Sequence, residues 1–197
     1  MNGNARDRSP ARPMYAFAWH TPIGAFTGSL NADALLEIRF PKQPDLRFLH
    51  TRAPAPLGSC RFESSQTVTS IPEPVASRAG QVAAFLSDYF SRRHPRVTLP
   101  IAWPGCGSFD RAIWQVTLRI PFGHRCTYGD LARQIGRPRA ARPAGGALAR
   151  NRIVLLVPCH RVIAKQPRRT THIHLGGFSA GLELKQALLT WEQDPTR

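Results

Sequence analysis

The clearest shortage in this chain of 197 residues is of acidic side chains. Asp and Glu number 12 against 27 Lys and Arg, which leaves a formal net charge of +15 at pH 7. The excess is uneven, because residues 96–197 hold 16 basic and 5 acidic residues whereas residues 1–95 hold 11 and 7. Such a surface attracts polyanions in a salt-dependent way. The charge favours a nucleic acid over an anionic membrane surface or a merely solvated exterior.

Cysteine pairs and long hydrophobic runs are also missing. The four cysteines, at 60, 106, 126 and 159, include no Cys-x-x-Cys pair and no zinc-site spacing, which argues against a structural metal or a disulfide framework. The apolar stretch 14–19 is too short for a secretory core, and no run reaches the roughly 20 residues that span a bilayer. We therefore expect a soluble, cytoplasmic protein with reduced thiols, nucleoid-associated if its source is bacterial.

Composition shifts along the chain predict an α+β protein. Short apolar segments at 15–19 and 35–40 predict strands, and apolar positions at helical spacing predict a helix over 77–93. The predicted segments are a disordered arm at 1–13, an amino-terminal α/β domain at 14–95 with a Pro-rich irregular stretch at 41–71, a linker at 96–107 and a mainly helical carboxy-terminal domain at 108–197.

The carboxy-terminal domain is expected to begin with two helices. A second helix is predicted over residues 128–135, where Thr127 can cap the amino end and Asp130 places negative charge in the first turn. The first helix is predicted from an apolar stripe at helical spacing, which consists of Phe109, Ile113, Val116 and Ile120.

A third segment, 139–150, consists mostly of Ala, Gly, Arg and Leu. Two short helices joined by a turn at 136–138 resemble a helix-turn-helix. Small side chains let a helix approach another surface closely, although they also pack helices inside proteins. The arginines that flank the segment favour DNA over a purely internal role.

Cys159 and His160 follow the apolar run 153–157, which predicts a strand that ends at the thiol. A thiolate attacks carbon far better than a thiol, and a neighbouring basic group increases the thiolate fraction. A cysteine after an apolar run is also often a small core residue. From these residues alone, a nucleophile and a core cysteine both remain open.

Taken together, these features resemble the O6-alkylguanine-DNA alkyltransferases, also called methylated-DNA–protein-cysteine methyltransferases. The resemblance is continuous over residues 109–192 and looser in the first half, through residues 21–24. The Pro-Cys-His-Arg-Val element at 158–162 carries most of the specificity. The other matching elements are 120–123, 127–132, 139–142, Asn151 and a terminal Leu-Glu-x-Lys helix. The family fold implies a ribonuclease H-like sheet in the amino-terminal domain and a helix-turn-helix catalytic domain.

The resemblance implies transfer of an alkyl group from O6 of guanine, and from O4 of thymine, in duplex DNA to Cys159. Each molecule would react once, without a cofactor or a metal. His160 would act as a base through a water, Glu192 would orient the imidazole and Asn151 would brace the active-site turn. The implied pocket for the base consists of Phe178, Ser179, Val162 and Pro158.

The implied partner is double-stranded DNA that contains alkylated guanine, bound by a monomer with no membrane involved. The lesion lies inside the base stack, so the base must be extruded. Arg142 would take the vacated space, and Tyr128 would turn the neighbouring phosphate while the small-sided helix enters the minor groove. The remaining implied DNA-binding residues are Ala140, Ala141, Gly145, Gly146 and Arg139.

Three features depart from the family pattern. Phe178 replaces a tyrosine, so a hydroxyl that would assist the leaving guanine is absent. Pro143 follows Arg142, and Arg152 replaces a proline; we expect the recognition helix to begin later or to bend. The loop 163–176 is long, and we favour an insertion over a phosphate contact or a metal pair. Its charged residues are Lys165, Arg168, Arg169, His172 and His174.

Two other functions fit part of the sequence. A lesion sensor or regulator of the same fold would bind DNA without efficient transfer, which Phe178 favours and Cys159 opposes. A thiol hydrolase built on Cys159 and His160 would leave the basic, small-sided helix unexplained.

Overall fold

The amino-terminal half forms a four-stranded antiparallel sheet. The computed structural model describes residues 13–51, 53–56, 60–65, 70–165 and 174–193. The strands lie in the order 35–39, 24–30, 15–21 and 61–64 across the sheet, and a tight turn joins the two central strands. The predicted strands at 15–19 and 35–40 are confirmed within two residues. The strands are β1 (Tyr15–Thr21), β2 (Gly24–Leu30), β3 (Leu35–Arg39) and β4 (Arg61–Ser64).

The helix α2 (Glu73–Phe90) packs on this sheet, and the short helix α1 (Leu46–Thr51) packs against the carboxy-terminal helix Leu182–Trp191. Buried Trp19 donates its indole N–H to the Ala79 carbonyl over 3.0 Å, which fixes α2 on the sheet. The expectation that 41–71 is wholly irregular is wrong, because the stretch contains α1 and β4. β4 pairs with β1, where Phe62 lies opposite Trp19. This contact joins residues far apart in the sequence, so local composition could not predict it.

The second half is mainly helical, as predicted. Its helices are α3 (Ser108–Thr117), α4 (Tyr128–Gln134), α5 (Ala141–Ala149) and α6 (Leu182–Trp191), and two short parallel strands are β5 (Cys126–Thr127) and β6 (Val162–Ile163). Thr127 caps α4, since its hydroxyl accepts the Asp130 N–H over 3.1 Å while the Asp130 carboxylate accepts the Thr127 N–H over 2.9 Å. The predicted cap is confirmed, and the reciprocal pair is a capping box.

Pro143 does not delay the start of α5, so the expectation of a later start is wrong, while the alternative of a bend stays a prediction. The helix begins at Ala141, which makes Pro143 its third residue. Backbone N–H groups in the first turn of a helix have no intrahelical acceptor, so a proline there removes no hydrogen bond. The Trp114 indole donates to the Ala147 carbonyl over 2.9 Å and anchors α5 on α3.

The run 153–157 is not the predicted strand. Only Ile153 makes a β-bridge, with Ile38, and the chain then turns through Leu155 at φ 67°. A buried apolar run has no periodicity that separates a strand from a packed turn. The run 153–157 is buried because the two halves of the chain meet there. One contact at this place is the hydrogen bond that the Ile38 N–H donates to the Arg152 carbonyl over 2.8 Å.

The two halves share a hydrophobic core. Phe48 of α1 packs on Trp191 of α6 with ring centroids 5.2 Å apart. The segment between the halves is also packed, because Leu99 is buried and Ile101 forms a β-bridge with Leu35. The division into separate domains stays a prediction. Among the described residues, no helix combines the length and apolar character needed to cross a membrane.

Candidate active site

Cys159 begins a single 3-10 turn, Cys159–Arg161, directly after the packed run. Its thiol lines a cavity of about 490 Å³, and the residue is 7% exposed. The Asn151 amide donates to Cys159 Sγ over 3.3 Å and to the Val157 carbonyl over 3.1 Å, while its oxygen accepts the Ile153 N–H over 2.9 Å. Asn151 therefore ties both ends of the turn to the thiol.

His160 lies behind the thiol, fully buried, with Nε2 2.7 Å from Glu192 Oε1. Arg161 donates two further hydrogen bonds to the same carboxylate, at 2.7 and 2.9 Å. Tyr89 donates its hydroxyl over 2.9 Å, and the Gly123 N–H donates over 3.2 Å. A buried carboxylate is tolerated when it is paired and fully hydrogen-bonded, as it is here.

The protonation states follow from this network. Burial raises the pKa of Glu192, but the charges and hydrogen bonds of His160 and Arg161 outweigh it and lower that pKa to about 2. Burial lowers the pKa of His160 more than Glu192 raises it. Because burial outweighs the attraction of Glu192, and the Arg161 charge adds to its effect, His160 is neutral near pH 7.

The same network sets the histidine tautomer. An ionised carboxylate only accepts hydrogen bonds, so His160 Nε2 carries the proton and Nδ1 keeps its lone pair. Nδ1 is buried and has no hydrogen-bond partner among the described residues. Burial raises the pKa of the Cys159 thiol, against the opposing effects of the Asn151 hydrogen bond and the Lys185 charge. The residue that follows the protonated thiol in the chain therefore carries a buried base with a free lone pair.

Lys185 of α6 is buried beside this pair. Its ammonium donates to the carbonyls of Val162 and Leu175, each over 2.6 Å, and to that of Gly177 over 3.2 Å. Burial lowers the pKa of Lys185 to about 8. Lys185 thus fastens residues 174–181, the active-site loop, to β6 just after the Cys159 turn.

The active-site loop is held from two other sides. The Phe178 ring packs edge-on against Phe40 at the end of β3, with centroids 5.9 Å apart. The Tyr128 hydroxyl donates to the Gly177 carbonyl over 3.3 Å. Gly176, at φ 69°, passes so close to the Tyr128 ring that a Cβ there would lie 2.7 Å from a ring carbon. The first half of the chain therefore contributes to the position of this loop.

The structure brings most of the predicted site residues to one cavity and its base. Those that line it are Tyr128, Ala141, Arg142, Gly145, Cys159, Phe178 and Ser179, and His160, Glu192 and Asn151 lie behind or beside the thiol. Pro158 and Val162 are buried and are not among the residues that line the cavity, and their assignment to the base pocket stays a prediction. Their burial follows from their place in the packed turn and in β6. Arg139, Ala140 and Gly146 also lie off the cavity wall, in or near α5.

Residues 166–173 of the long loop lie outside the described part of the chain. This range includes Arg168, Arg169 and His172. Lys165 is described and exposed, and it borders a neighbouring depression with Tyr128 and Arg142. Across the described ranges, no group of three or more His, Cys, Asp or Glu side chains is arranged to hold a metal ion.

Sequence reasoning assigned no role to Lys185, Tyr89, Arg161 or Gly123. A signal existed for Lys185, because a lysine at an inward position of α6, between Leu184 and Leu188, is unusual. Arg161 lies within the Pro-Cys-His-Arg-Val element, which gave no indication of its partner. Tyr89 is one of many apolar-face residues of α2, and nothing local connects it to Glu192, 103 residues later.

Comparison with known proteins agrees with this geometry. The profile of the 6-O-methylguanine DNA methyltransferase DNA-binding domain matches residues 108–194. A methylated-DNA–protein-cysteine methyltransferase of Methanosarcina barkeri is 36% identical over 117 residues, which are 59% of this chain and 70% of that protein. The chain belongs to this family. A second methylated-DNA–protein-cysteine methyltransferase, from Haemophilus influenzae, is 44% identical over 88 residues, 45% of this chain and 46% of that protein.

Solved structures extend the family likeness to the first half. The Mycobacterium tuberculosis O6-methylguanine methyltransferase superposes with a TM-score of 0.62 at 25% identity, over 94% of this chain and 97% of that one. The Mycobacterium tuberculosis OGT in complex with DNA gives the same TM-score at 27% identity, over 90% of this chain and 92% of that one. This methyltransferase-family chain therefore has the mixed α/β fold of those proteins, and its antiparallel sheet is part of it.

Proposed function

We propose that this chain repairs duplex DNA by direct reversal, moving an alkyl group from O6 of guanine, or O4 of thymine, to Cys159. One observation carries the proposal: the Cys159 thiol lines a cavity of about 490 Å³ whose outer wall is the small-sided helix α5. Behind the thiol lies a neutral histidine with a free Nδ1. Family membership supplies the reaction class, and this arrangement supplies the nucleophile and its base.

The residues of the site suffice for each step of the transfer. The Cys159 proton passes through a water to His160 Nδ1, and the resulting imidazolium is stabilised by Glu192 at 2.7 Å. The thiolate attacks the alkyl carbon; the S–C bond forms and the C–O6 bond breaks. The guanine leaves with the electron pair on its oxygen, where the backbone N–H of Ser179 can donate a hydrogen bond. It takes up one proton from water, and the proton that His160 received from Cys159 returns to water, so no net charge is left behind. The thioether is stable, so each molecule reacts once.

DNA binding is assigned to α4, α5 and the turn between them, which we propose act as a helix-turn-helix. Among the described residues, a Cβ on Gly145 would meet within 4 Å only the Tyr128 ring, at 3.6 Å, which favours a close approach of another surface to α5 at this position. Arg142 is exposed at the cavity mouth, where it can fill the space left by an extruded base. We also propose that the protein acts as a monomer and that its sheet is ribonuclease H-like.

The direct test is intact mass followed by peptide mapping, after the pure protein is mixed with one equivalent of duplex containing O6-methylguanine. We expect one added methyl group, on Cys159. The Cys159→Ala variant is the matched control: it should gain no mass and should retain its affinity for the duplex. If the methyl group appears on another cysteine, the assignment of Cys159 is wrong.

A lesion sensor is a second candidate, because Phe178 offers no hydroxyl to the leaving guanine. In that case the protein would bind the O6-methylguanine duplex more tightly than an unmodified duplex and gain no mass. The proposal of transfer would then be abandoned.

A further inference from the structure

A second cleft adjoins the base cavity. It has a volume of about 740 Å³ and runs between the end of β3, the segment 103–107 and the carboxyl end of α5. Ser179 and Ala149 line both the cleft and the base cavity. The two depressions therefore share a wall at the active-site loop and the end of α5.

The charges in this cleft do not cancel. Glu37 is paired with Arg39 over 2.7 Å, and Asp110 is held by Arg150 through two hydrogen bonds of 2.7 and 2.8 Å. These four side chains compensate one another. Two further cations, Lys42 and Arg152, also line the cleft.

Lys42 and Arg152 carry the net charge of the cleft. Within the described ranges, neither side chain has a hydrogen-bond or ion-pair partner. The Arg152 backbone is nevertheless fixed, because its carbonyl accepts the Ile38 N–H over 2.8 Å. The cleft thus presents a surplus of two positive charges, one of them from a residue whose backbone is held by β3.

Other groups in the cleft also suit an anion. The amino end of α3 forms part of the wall, and its N-cap residue, Gly107, supplies no side-chain acceptor to the first turn. The Trp103 indole N–H is buried without an acceptor among the described residues. These features add to the positive charge of Lys42 and Arg152, which is the main reason that the cleft suits an anion.

We propose that this cleft binds the phosphodiester backbone of the lesion-bearing strand, on one side of the extruded base, through Lys42 and Arg152. The inference rests on the proposed function, because an alkylated base seated over Cys159 places its own strand across Ser179 and into the cleft. Lys42 follows β3, so the amino-terminal half takes part in DNA binding. The Phe40–Phe178 contact holds the end of β3 against the active-site loop, which keeps Lys42 in register with the base cavity.

The test compares two double variants with the same loss of charge. Lys42→Ala with Arg152→Ala removes both cations of the cleft, whereas Arg61→Ala with Arg96→Ala removes two exposed arginines that do not line it. Each neutralised phosphate contributes roughly 0.9 to the slope of log affinity against log salt concentration. We expect the slope to fall by about 2 in the cleft variant, from two such contacts, and by much less in the control.

A duplex with its lesion near one end adds directional information. Two such duplexes are compared, one extended on the 5′ side of the lesion and one on the 3′ side. The cleft variant should have a lower affinity than wild type for one of them and the wild-type affinity for the other. Reaction of Cys159 with free O6-benzylguanine should be unchanged in both double variants. If wild-type protein reacts with neither substrate, the proposed function has failed; if transfer is normal and the slopes match, only the cleft assignment has failed.

Inorganic phosphate distinguishes a free anion from the DNA backbone. The melting temperature of both double variants is measured over a phosphate titration without DNA. Stabilisation by phosphate that only the cleft variant loses, with no change in its salt slope for DNA, would overturn the assignment to DNA. A changed slope on one flank supports it, with or without an effect of phosphate.

Discussion

At Phe178, the packing role of the side chain can be separated from a chemical role. Its ring is held edge-on by Phe40 at 5.9 Å, and the Lys185 ammonium lies 5.8 Å from its centroid. A ring in this place can therefore pack against an extruded base without a hydroxyl. What the residue lacks is a donor for the negative charge that develops on the leaving guanine.

Restoring that donor should accelerate transfer. A hydrogen bond that forms with the developing charge contributes roughly 1.5 kcal/mol, so we expect Phe178→Tyr to raise the single-turnover rate by about tenfold. Rapid-quench measurement with an O6-methylguanine duplex checks this, with Phe178→Leu as the control that removes the ring. An unchanged rate for Phe178→Tyr would show that the missing hydroxyl does not limit the reaction.

At the scale of elements, the active-site loop depends on close backbone packing. Gly176 has φ 69° and lies against Tyr128, while a Cβ at neighbouring Gly177 would meet no described atom within 4 Å. The two glycines therefore form a matched pair for substitution. One is required by geometry and the other is not.

Gly176→Ala should displace the loop or the Tyr128 ring. A non-glycine residue in this conformation costs roughly 1–3 kcal/mol, and the added methyl group collides with Tyr128. We expect the transfer rate to fall by at least about tenfold, because the reacting atoms lose their alignment. The transfer rate of Gly177→Ala should stay within about twofold of the wild-type rate, because its methyl group collides with no described atom and the reacting atoms keep their alignment. Single-turnover rates and melting curves of both variants test this; equal rates would show that the loop does not align the base.

On the scale of the whole molecule, Glu192 joins the two halves. Its carboxylate accepts hydrogen bonds from Tyr89 of α2, from Gly123 after α3 and from His160 and Arg161 of the active-site turn. A charge buried at this junction couples the stability of the protein to pH. The sign follows from the lowered pKa of Glu192.

The folded pKa of Glu192 is about 2, against 4.5 for an unperturbed glutamate. Its contribution to stability is present above about pH 4.5 and is lost as pH falls through 2, an amount on the order of 3 kcal/mol. Glu192→Gln should unfold more easily at pH 7, by about 3–5 kcal/mol, and show a weaker pH dependence below pH 4.5. Tyr89→Phe, the control, removes one hydrogen bond and should cost about 1 kcal/mol. Urea unfolding across this pH range checks both, and parallel curves for wild type and Glu192→Gln would contradict the linkage.

The amino-acid sequence by itself determined those features that depend on neighbours in the chain. The cap at Thr127, the helix α4, the first strands of the sheet and the Cys159–His160 pair were all predicted from short-range patterns. The family resemblance led to Glu192 and Asn151, which the structure places beside His160 and Cys159. The mistake at Pro143 was also local, since the first turn of a helix tolerates a proline.

Only the tertiary structure decided what depends on contacts between distant segments. The run 153–157 became a packed turn because Ile38 lies against it, and β4 became a strand because β1 offers an open edge. Tyr89 meets Glu192, and Phe40 meets Phe178, only because the two halves share a core. A hydrophobic pattern reports that a side chain is buried, but the partner against which it is buried is set by the folding of the whole chain.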